Sequence, residues 1–287
     1  MRFALCNETF QSPDSAGKYH LWPVEDGFNA AAEAGYTGIE IAPFTLAEHP
    51  RDVSAARRKE LRRHCEKLGM PVIGLHWLLV SPKGLHVAHA DPAIRQKTLG
   101  VLMDLVTLCS DLGGQVLVFG SPFQRSTLDG WDSAETWRRA CEAFQKVAEV
   151  AGRAGCTLAL EPLTTAETNL MLSSAEGRRM VESVAHPACK LHLDVKAMSP
   201  SAEPVASQIR AHADLLTHFH ANDANKRGPG FGNTDFVPIL QALKDVNYAG
   251  WVSVEVFDYT PDPITIARES LAHLKKCEAA AGKKSSK

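Results

Sequence analysis

Four short apolar runs decide the fold: LALE at 158–161, LHLD at 191–194, LTHFH at 216–220 and WVSVE at 251–255. Each run is typical of a buried strand. Each also ends in a residue that can bind a metal ion, namely Glu161, Asp194, His220 or Glu255. In a barrel of parallel strands, the carboxyl ends of all the strands open at one mouth. We therefore expect these four side chains to converge.

The rest of the chain repeats the same alternation of a short strand-like run and a longer amphipathic stretch. Strands are predicted at 2–6, 37–41, 72–76, 116–119, 157–161, 190–194, 216–220 and 251–255. Helices are predicted at 24–34, 54–68, 91–112, 133–154, 174–184, 202–213, 236–245 and 263–279. Eight strand–helix pairs without a linker predict an α/β fold, a single-domain (β/α)8 TIM barrel over residues 1–280, with a flexible tail at 281–287. An open doubly wound sheet is the alternative, but it requires a glycine-rich turn after the first strand, where this chain has CNET at 6–9.

Composition limits the partners and the compartment. The 287 residues carry a formal net charge of −2, so no overall field attracts nucleic acid or an anionic membrane. The N-terminus lacks a signal-peptide pattern, and no apolar run approaches the roughly 20 residues that span a bilayer. The seven cysteines are scattered without a CxxC motif, which is typical of reduced thiols in a cytoplasmic protein. Cys6, on the first strand, is predicted to lie in the core.

The chemistry of the four strand ends favours a metal. A single terminal carboxylate is more often a helix cap or an ion-pair partner, but clustered carboxylates repel each other and need a cation to coexist. Three carboxylates and one imidazole, without a thiolate, favour Mn²⁺ first, with Mg²⁺, Co²⁺ or Zn²⁺ as alternatives.

Other polar residues near the strand ends carry weaker predictions. His76 is expected to contact a substrate, and Trp77 to form an apolar wall beside it. Glu40 is either part of the site or a structural ion-pair partner. His192 and His218 precede two ligands by two residues, so they should face the same way one layer deeper, as supporting or packed groups.

Several motifs together resemble a known family. They are LALEPL at 158–163 followed by Glu167-Thr168, GLHW at 74–77, GSPFQR at 120–125, LHLD at 191–194, HFHAND at 218–223 and GPGFG at 228–232. The chain is similar over nearly its whole length to the sugar phosphate isomerase/epimerase superfamily, which has a xylose isomerase-like TIM barrel. Within that superfamily it most resembles the ketose 3-epimerases of the D-tagatose 3-epimerase type.

The resemblance implies roles for individual residues. Glu161, Asp194, His220 and Glu255 would bind the metal, and Glu161 and Glu255 would also form the acid/base pair. Glu167 would contact a substrate hydroxyl. Lys226 or Arg227 falls where the epimerases place a substrate-binding arginine.

The chain departs from the family pattern after the sixth strand. The epimerases carry a substrate-contacting histidine three residues beyond the aspartate of this strand, whereas this chain has Ala197 there and Lys196 beside it. If the strand continues, Lys196 points to the same side as Asp194. Lys196 then either forms a structural ion pair with a nearby carboxylate, or polarises a substrate carbonyl or binds an anionic group.

The predicted function is a metal-dependent sugar epimerase or isomerase. A proton next to a carbonyl is weakly acidic, and a metal that chelates the carbonyl and a neighbouring hydroxyl stabilises the enediolate left by its removal. Glutamates on opposite sides of the mouth can then remove and return the proton. The substrate is expected to be a small keto-sugar, and the protein a homodimer or homotetramer.

Three other functions remain open from the sequence. A lyase or dehydratase would use the same enediolate to expel a β-hydroxyl group. A DNA-repair enzyme like endonuclease IV would need a histidine-rich multi-metal site and a basic groove, and the near-neutral charge argues against it. A non-catalytic sugar-binding barrel would not require the four ligands.

Overall fold

Eight parallel strands close into a barrel, and helices of the same chain cover its outside. This computed structural model describes residues 1–282. The strands are β1 (Arg2–Cys6), β2 (Gln11–Pro13), β3 (Tyr19–Leu21), β4 (Gly38–Ile41), β5 (Val72–Leu75), β6 (Val116–Phe119), β7 (Thr157–Leu160), β8 (Cys189–Asp194), β9 (Leu216–Ala221) and β10 (Trp251–Val254). The α-helices are α1 (Val24–Ala34), α2 (Ala55–Lys67), α3 (Pro92–Leu112), α4 (Ser133–Arg153), α5 (Ser174–Val184), α6 (Val195–Met198), α7 (Val205–Ala211), α8 (Phe236–Asp245) and α9 (Pro263–Ala280).

The barrel confirms the predicted fold class. Its strands are hydrogen-bonded in the order β1-β10-β9-β8-β7-β6-β5-β4, and β1 also pairs with β4, which closes the ring. An open doubly wound sheet is therefore excluded. The barrel strands are apolar and almost fully buried, because helices cover the outer face and side chains fill the interior.

Local sequence signals account for the helix ends. The Asp91 side chain accepts a hydrogen bond of 2.8 Å from the backbone N–H of Ala93, and Pro92 occupies the first turn of α3, where its missing N–H is not needed. Gly113 ends this helix with a φ of 88°, a left-handed conformation that glycine adopts without strain.

Three local features differ from the sequence prediction. The antiparallel hairpin β2–β3 lies between β1 and α1 and was not predicted. The helix expected at 202–213 is the shorter α7, which begins after Pro204, because proline does not fit the interior of a helix. The strand β8 does not continue beyond Asp194, because α6 begins at the next residue.

The predicted ligands all lie at one end of the barrel. Glu161 and Glu255 directly follow β7 and β10. Asp194 is the last residue of β8, and His220 is the last but one of β9. The barrel therefore carries all four residues at its C-terminal mouth. The predicted tail at 281–287 stays a prediction, since residues 283–287 lie outside the described part of the chain.

Within residues 1–282, none of the helices combines the length and the apolar character that crossing a bilayer requires.

Candidate active site

A cluster of buried polar side chains occupies the mouth of the barrel. Glu161, Asp194, His220 and His192 each offer one ligand atom, and these atoms lie within 4.8 Å of one another. Glu255 joins the cluster through His220, because its Oε2 lies 3.0 Å from the Nδ1 atom of that imidazole. The structure thus brings the four predicted ligands together, and it adds His192 as a group that could share in holding an ion.

The ionisable side chains of this cluster lie close enough to shift each other's pKa values. Burial, together with the nearby charges of Glu255 and Asp194, raises the pKa of Glu161 to about 8. Burial opposes ionisation of Glu255 as well, but the neighbouring His220 lowers the pKa of Glu255 to about 2. A divalent ion would favour the charged form of every carboxylate here and relieve their mutual repulsion.

Asp194 accepts hydrogen bonds from a backbone group of α6 and from a side chain just after β9. Its Oδ1 accepts a hydrogen bond of 2.7 Å from the backbone N–H of Ala197, which caps the short helix α6. Its Oδ2 accepts one of 2.5 Å from the side-chain amide of Asn222. The same Asn222 accepts a hydrogen bond from the backbone N–H of Lys196, so it ties the ends of β8 and β9 together.

Glu161 lies in a space that depends on two residues of the loop after β6. A Cβ atom added to Gly120 would lie 1.9 Å from Glu161 Oε2, so a larger residue here would displace this carboxylate. Arg125 is fully buried, and its Nη1 donates a hydrogen bond of 2.6 Å to the backbone carbonyl of Glu161. These contacts fix the position at which the chain leaves β7.

The imidazole ring of His220 contacts the carboxylate of Glu40. The Nε2 atom of His220 lies 3.2 Å from each Glu40 carboxylate oxygen, and His218 Nε2 lies 2.8 Å from Glu40 Oε2. A carboxylate against one ring nitrogen of a histidine orients the ring and leaves the other nitrogen for a metal. Glu40 therefore contacts a candidate ligand rather than being an isolated structural ion pair. His192 is fully buried and has no hydrogen-bond partner for either ring nitrogen among residues 1–282.

A cavity of about 430 Å³ opens above these groups. Its lining includes six of the residues predicted to act on or contact a substrate: His76, Trp77, Glu161, Glu167, Lys196 and Glu255. The Nε2 atom of His76 lies 2.8 Å from Glu8 Oε2, and both side chains are almost completely buried. Trp77 does more than form the expected apolar wall, because its indole N–H donates a hydrogen bond of 2.7 Å to Glu255 Oε1.

Lys196 lines the cavity as an ion-pair partner of Glu167. Its Nζ lies 2.7 Å from Glu167 Oε1 and 4.2 Å from the centre of the Phe257 ring. Burial disfavours the ammonium, yet Asp194 and Glu167 raise the pKa of Lys196 above its ordinary value. The strand-alternation argument for its direction was wrong, because Lys196 lies in helix α6, but the residue still reaches the cavity.

Lys226 and Arg227 lie in the loop after β9, outside the lining of this cavity. The guanidinium of Arg227 donates a hydrogen bond of 2.9 Å to the carbonyl of Thr260 and lies 5.0 Å from the centre of the Phe231 ring. A substrate contact from either residue stays a prediction, and the contacts of Arg227 do not support it.

Several residues of the site were not assigned a role from the sequence. They are Glu8, Gly120, Arg125, Asn222 and Phe257. Glu8 follows β1 by two residues, so the rule that singled out the other strand ends could have found it. Gly120, Arg125 and Asn222 belong to motifs that were noted, but their partners come from other strands.

Comparison with known proteins agrees with this architecture. The model of the family described as xylose isomerase-like TIM barrel matches residues 28–277. The chain belongs to this family. It is 32% identical over 232 residues to an L-ribulose 3-epimerase of Mesorhizobium japonicum, a match that covers 78% of this chain and 72% of the relative. It is 33% identical over 242 residues to a D-psicose 3-epimerase of Agrobacterium fabrum, covering 83% and 81%.

A solved structure shows the same fold. The structure of an L-ribulose 3-epimerase superimposes with a TM-score of 0.83 at 24% identity, covering 98% of this chain and 95% of the other. The predicted resemblance to the ketose 3-epimerases is confirmed. This member of the family is an enzyme of the isomerase class, a sugar epimerase or isomerase.

Proposed function

We propose that this enzyme is a divalent-metal-dependent ketose 3-epimerase that inverts the carbon next to the carbonyl of a small keto-sugar. The observation that carries the proposal is the placement of Glu161 and Glu255. Both carboxylates line one cavity, and the strands that bear them, β7 and β10, are separated in the barrel by the two strands that bear Asp194 and His220. Two acid/base groups on different sides of one carbon are what an epimerisation requires.

The residues present fit a divalent ion. Glu161, Asp194, Glu255 and the Nδ1 atom of His220 offer oxygen and nitrogen donors, a set that favours Mn²⁺, with Mg²⁺, Co²⁺ or Zn²⁺ as alternatives. Unpartnered nitrogens on the buried His192 add to the donors at the same place. The chemistry that an ion supplies when bound here is stabilisation of negative charge on the carbonyl and hydroxyl oxygens of the substrate.

One glutamate acts as the base and the other as the acid. One carboxylate removes the proton from carbon 3, and the other returns a proton to the opposite face, which inverts the configuration. Their surroundings differ, since His220 lies against Glu255 while Glu161 lies among other carboxylates. Such a difference favours separate acid and base roles within one pair.

The cavity lining orients the substrate. His76 and the Glu167–Lys196 pair present polar atoms that can bind hydroxyl groups, and Phe257 with Leu163 offers apolar surface. The curated relatives are named for L-ribulose and D-psicose, which supports a free ketose of five or six carbons as the substrate. Lys196 stands next to the position of the family histidine, so the preferred ketose is expected to differ from theirs.

The experiment is a metal-dependence assay in D₂O. The enzyme, stripped with chelator and reloaded with Mn²⁺, is incubated with a panel of ketopentoses and ketohexoses. We expect deuterium at carbon 3 and the 3-epimer as product, only in the reloaded sample. Full activity in excess chelator would refute the metal dependence, and a dehydrated product without the epimer would identify a lyase instead.

A further inference from the structure

Trp77 has an unusual backbone conformation at the edge of the active site. It directly follows His76 after β5, and its φ is 52°. A bulky side chain rarely adopts this left-handed conformation, which persists only where surrounding contacts hold the residue in place. Contacts of the indole ring hold Trp77 in this conformation.

The indole ring packs against two phenylalanines. Its centre is 6.1 Å from that of Phe44 and 5.9 Å from that of Phe257. These rings come from the loops after β4 and β10. Packing of this kind restricts the ring to one orientation, with its N–H directed at Glu255.

Trp77 and His220 contact different oxygens of the Glu255 carboxylate. Oε1 accepts the indole N–H at 2.7 Å, while Oε2 lies 3.0 Å from Nδ1 of His220. The carboxylate is thus held at both oxygens. Rotation about its terminal bond, which would carry Oε1 into the ligand cluster, breaks the bond to Trp77.

We propose that Trp77 is a positioning residue for Glu255, a role beyond that of an apolar wall. Its indole N–H anchors Oε1, so that Oε2 alone faces the candidate metal ligands, and the strained backbone of Trp77 is the conformation that brings the N–H to this carboxylate. The proposal rests on the proposed function, in which Glu255 is both a ligand and one of the two acid/base groups.

The test compares two tryptophan-to-phenylalanine variants. Trp77→Phe keeps a flat ring beside Phe44 and Phe257 but removes the N–H. Trp22→Phe is the matched control, because the indole N–H of Trp22 also donates a hydrogen bond of 2.8 Å to a side chain, that of Ser12, in the hairpin and outside the cavity lining. Both variants should melt at similar temperatures.

Three measurements decide the outcome. In Trp77→Phe, the Mn²⁺ dissociation constant should rise and kcat should fall, each by about 10-fold or more, the usual effect of losing a group that orients a metal ligand. KM should stay within about twofold, as expected when transition-state rather than uniform binding is lost. In the metal-free protein, the indole ¹H–¹⁵N signal that disappears in Trp77→Phe should shift markedly in Glu255→Ala.

A change in KM alone, with kcat and Mn²⁺ affinity near those of Trp22→Phe, would show that Trp77 is only a wall. An indole signal that is indifferent to Glu255→Ala would also overturn the proposal, because the hydrogen bond would not exist in solution. Failure of the proposed function is distinguishable, since it appears in the unmodified enzyme as the absence of Mn²⁺-dependent epimerisation. The indole measurement needs neither metal nor substrate, so it decides the Trp77 contact in that case too.

Discussion

Replacing Lys196 by methionine separates a catalytic contact from a structural ion pair. Methionine keeps the length and the apolar stem of the side chain but removes the ammonium that lies 2.7 Å from Glu167 and 4.2 Å from the ring centre of Phe257. The side chain of Lys196 is 7% exposed and that of Glu167 is 29% exposed, so the pair is only partly screened by water. The substitution is therefore expected to change both the stability of the fold and the kinetics.

The stability effect should be modest. Removing one partner of a fully buried ion pair costs about 3–5 kcal/mol. Glu167 is partly exposed and keeps hydrogen bonds from the hydroxyl and the backbone N–H of Thr164, at 2.9 and 3.2 Å, so its carboxylate is not left unpaired. A loss of about 1–2 kcal/mol follows from these compensating contacts. For a chain of this size that corresponds to a fall in Tm of about 2–8 °C.

The kinetic effect should be much larger if Lys196 donates a hydrogen bond to a substrate oxygen on which charge develops. Loss of one such donor costs about 10²–10³-fold in rate. The measurements are steady-state kinetics and thermal melting of Lys196→Met, and a substrate-binding Lys196 predicts a much larger loss in kcat/KM than in stability. Lys196→Arg is the companion variant, because it keeps the positive charge and should keep part of the activity.

A purely structural Lys196 predicts the opposite pattern. Then Lys196→Met would lower Tm while kcat/KM stayed within about twofold of the parent value, a change that corresponds to well under 1 kcal/mol. Glu167→Gln would give the same drop in Tm, because it weakens the same pair. That combination would refute a role for Lys196 in substrate binding.

Three further predictions concern the residues around the metal site. Glu161→Gln and Glu255→Gln each keep an oxygen ligand but lose the base, so both should bind Mn²⁺ and lose turnover, measured by deuterium exchange at saturating metal; parent-like exchange in either would show that this carboxylate is not a base. Gly120→Ala places a Cβ 1.9 Å from Glu161 Oε2 and should lower kcat by at least about 10-fold. Gly100→Ala is the control and should leave kcat unchanged, because no atom is found within 4 Å of a Cβ added there. Glu40→Gln should weaken Mn²⁺ binding about 10–100-fold in a chelator competition, because His220 loses the carboxylate that orients its ring; unchanged affinity would show that Glu40 only fills the barrel interior.

The barrel and the four candidate ligands could be predicted from the sequence because their signals are local. Apolar runs of strand length, each followed by a helical stretch, recur eight times, and a closed barrel of parallel strands brings the ends of all such runs to one mouth. A residue such as Asp194 needed only its place at the end of a run to be recognised. The short helix α6 was missed, because the residues after Asp194 do not show by themselves that the strand stops there.

The pairing of side chains within the site was decided by the tertiary structure alone. Lys196 meets Glu167 across 29 positions of the chain, Trp77 meets Glu255 across 178, and Glu40 meets His220 across 180. No local pattern encodes such partners, since each contact exists only after the barrel has closed and its loops have packed against each other. The sequence by itself determined that the four candidate ligands reach the mouth. Closure of the barrel determined which side chains touch there, because side-chain contact depends on distances between strands that are remote in the chain.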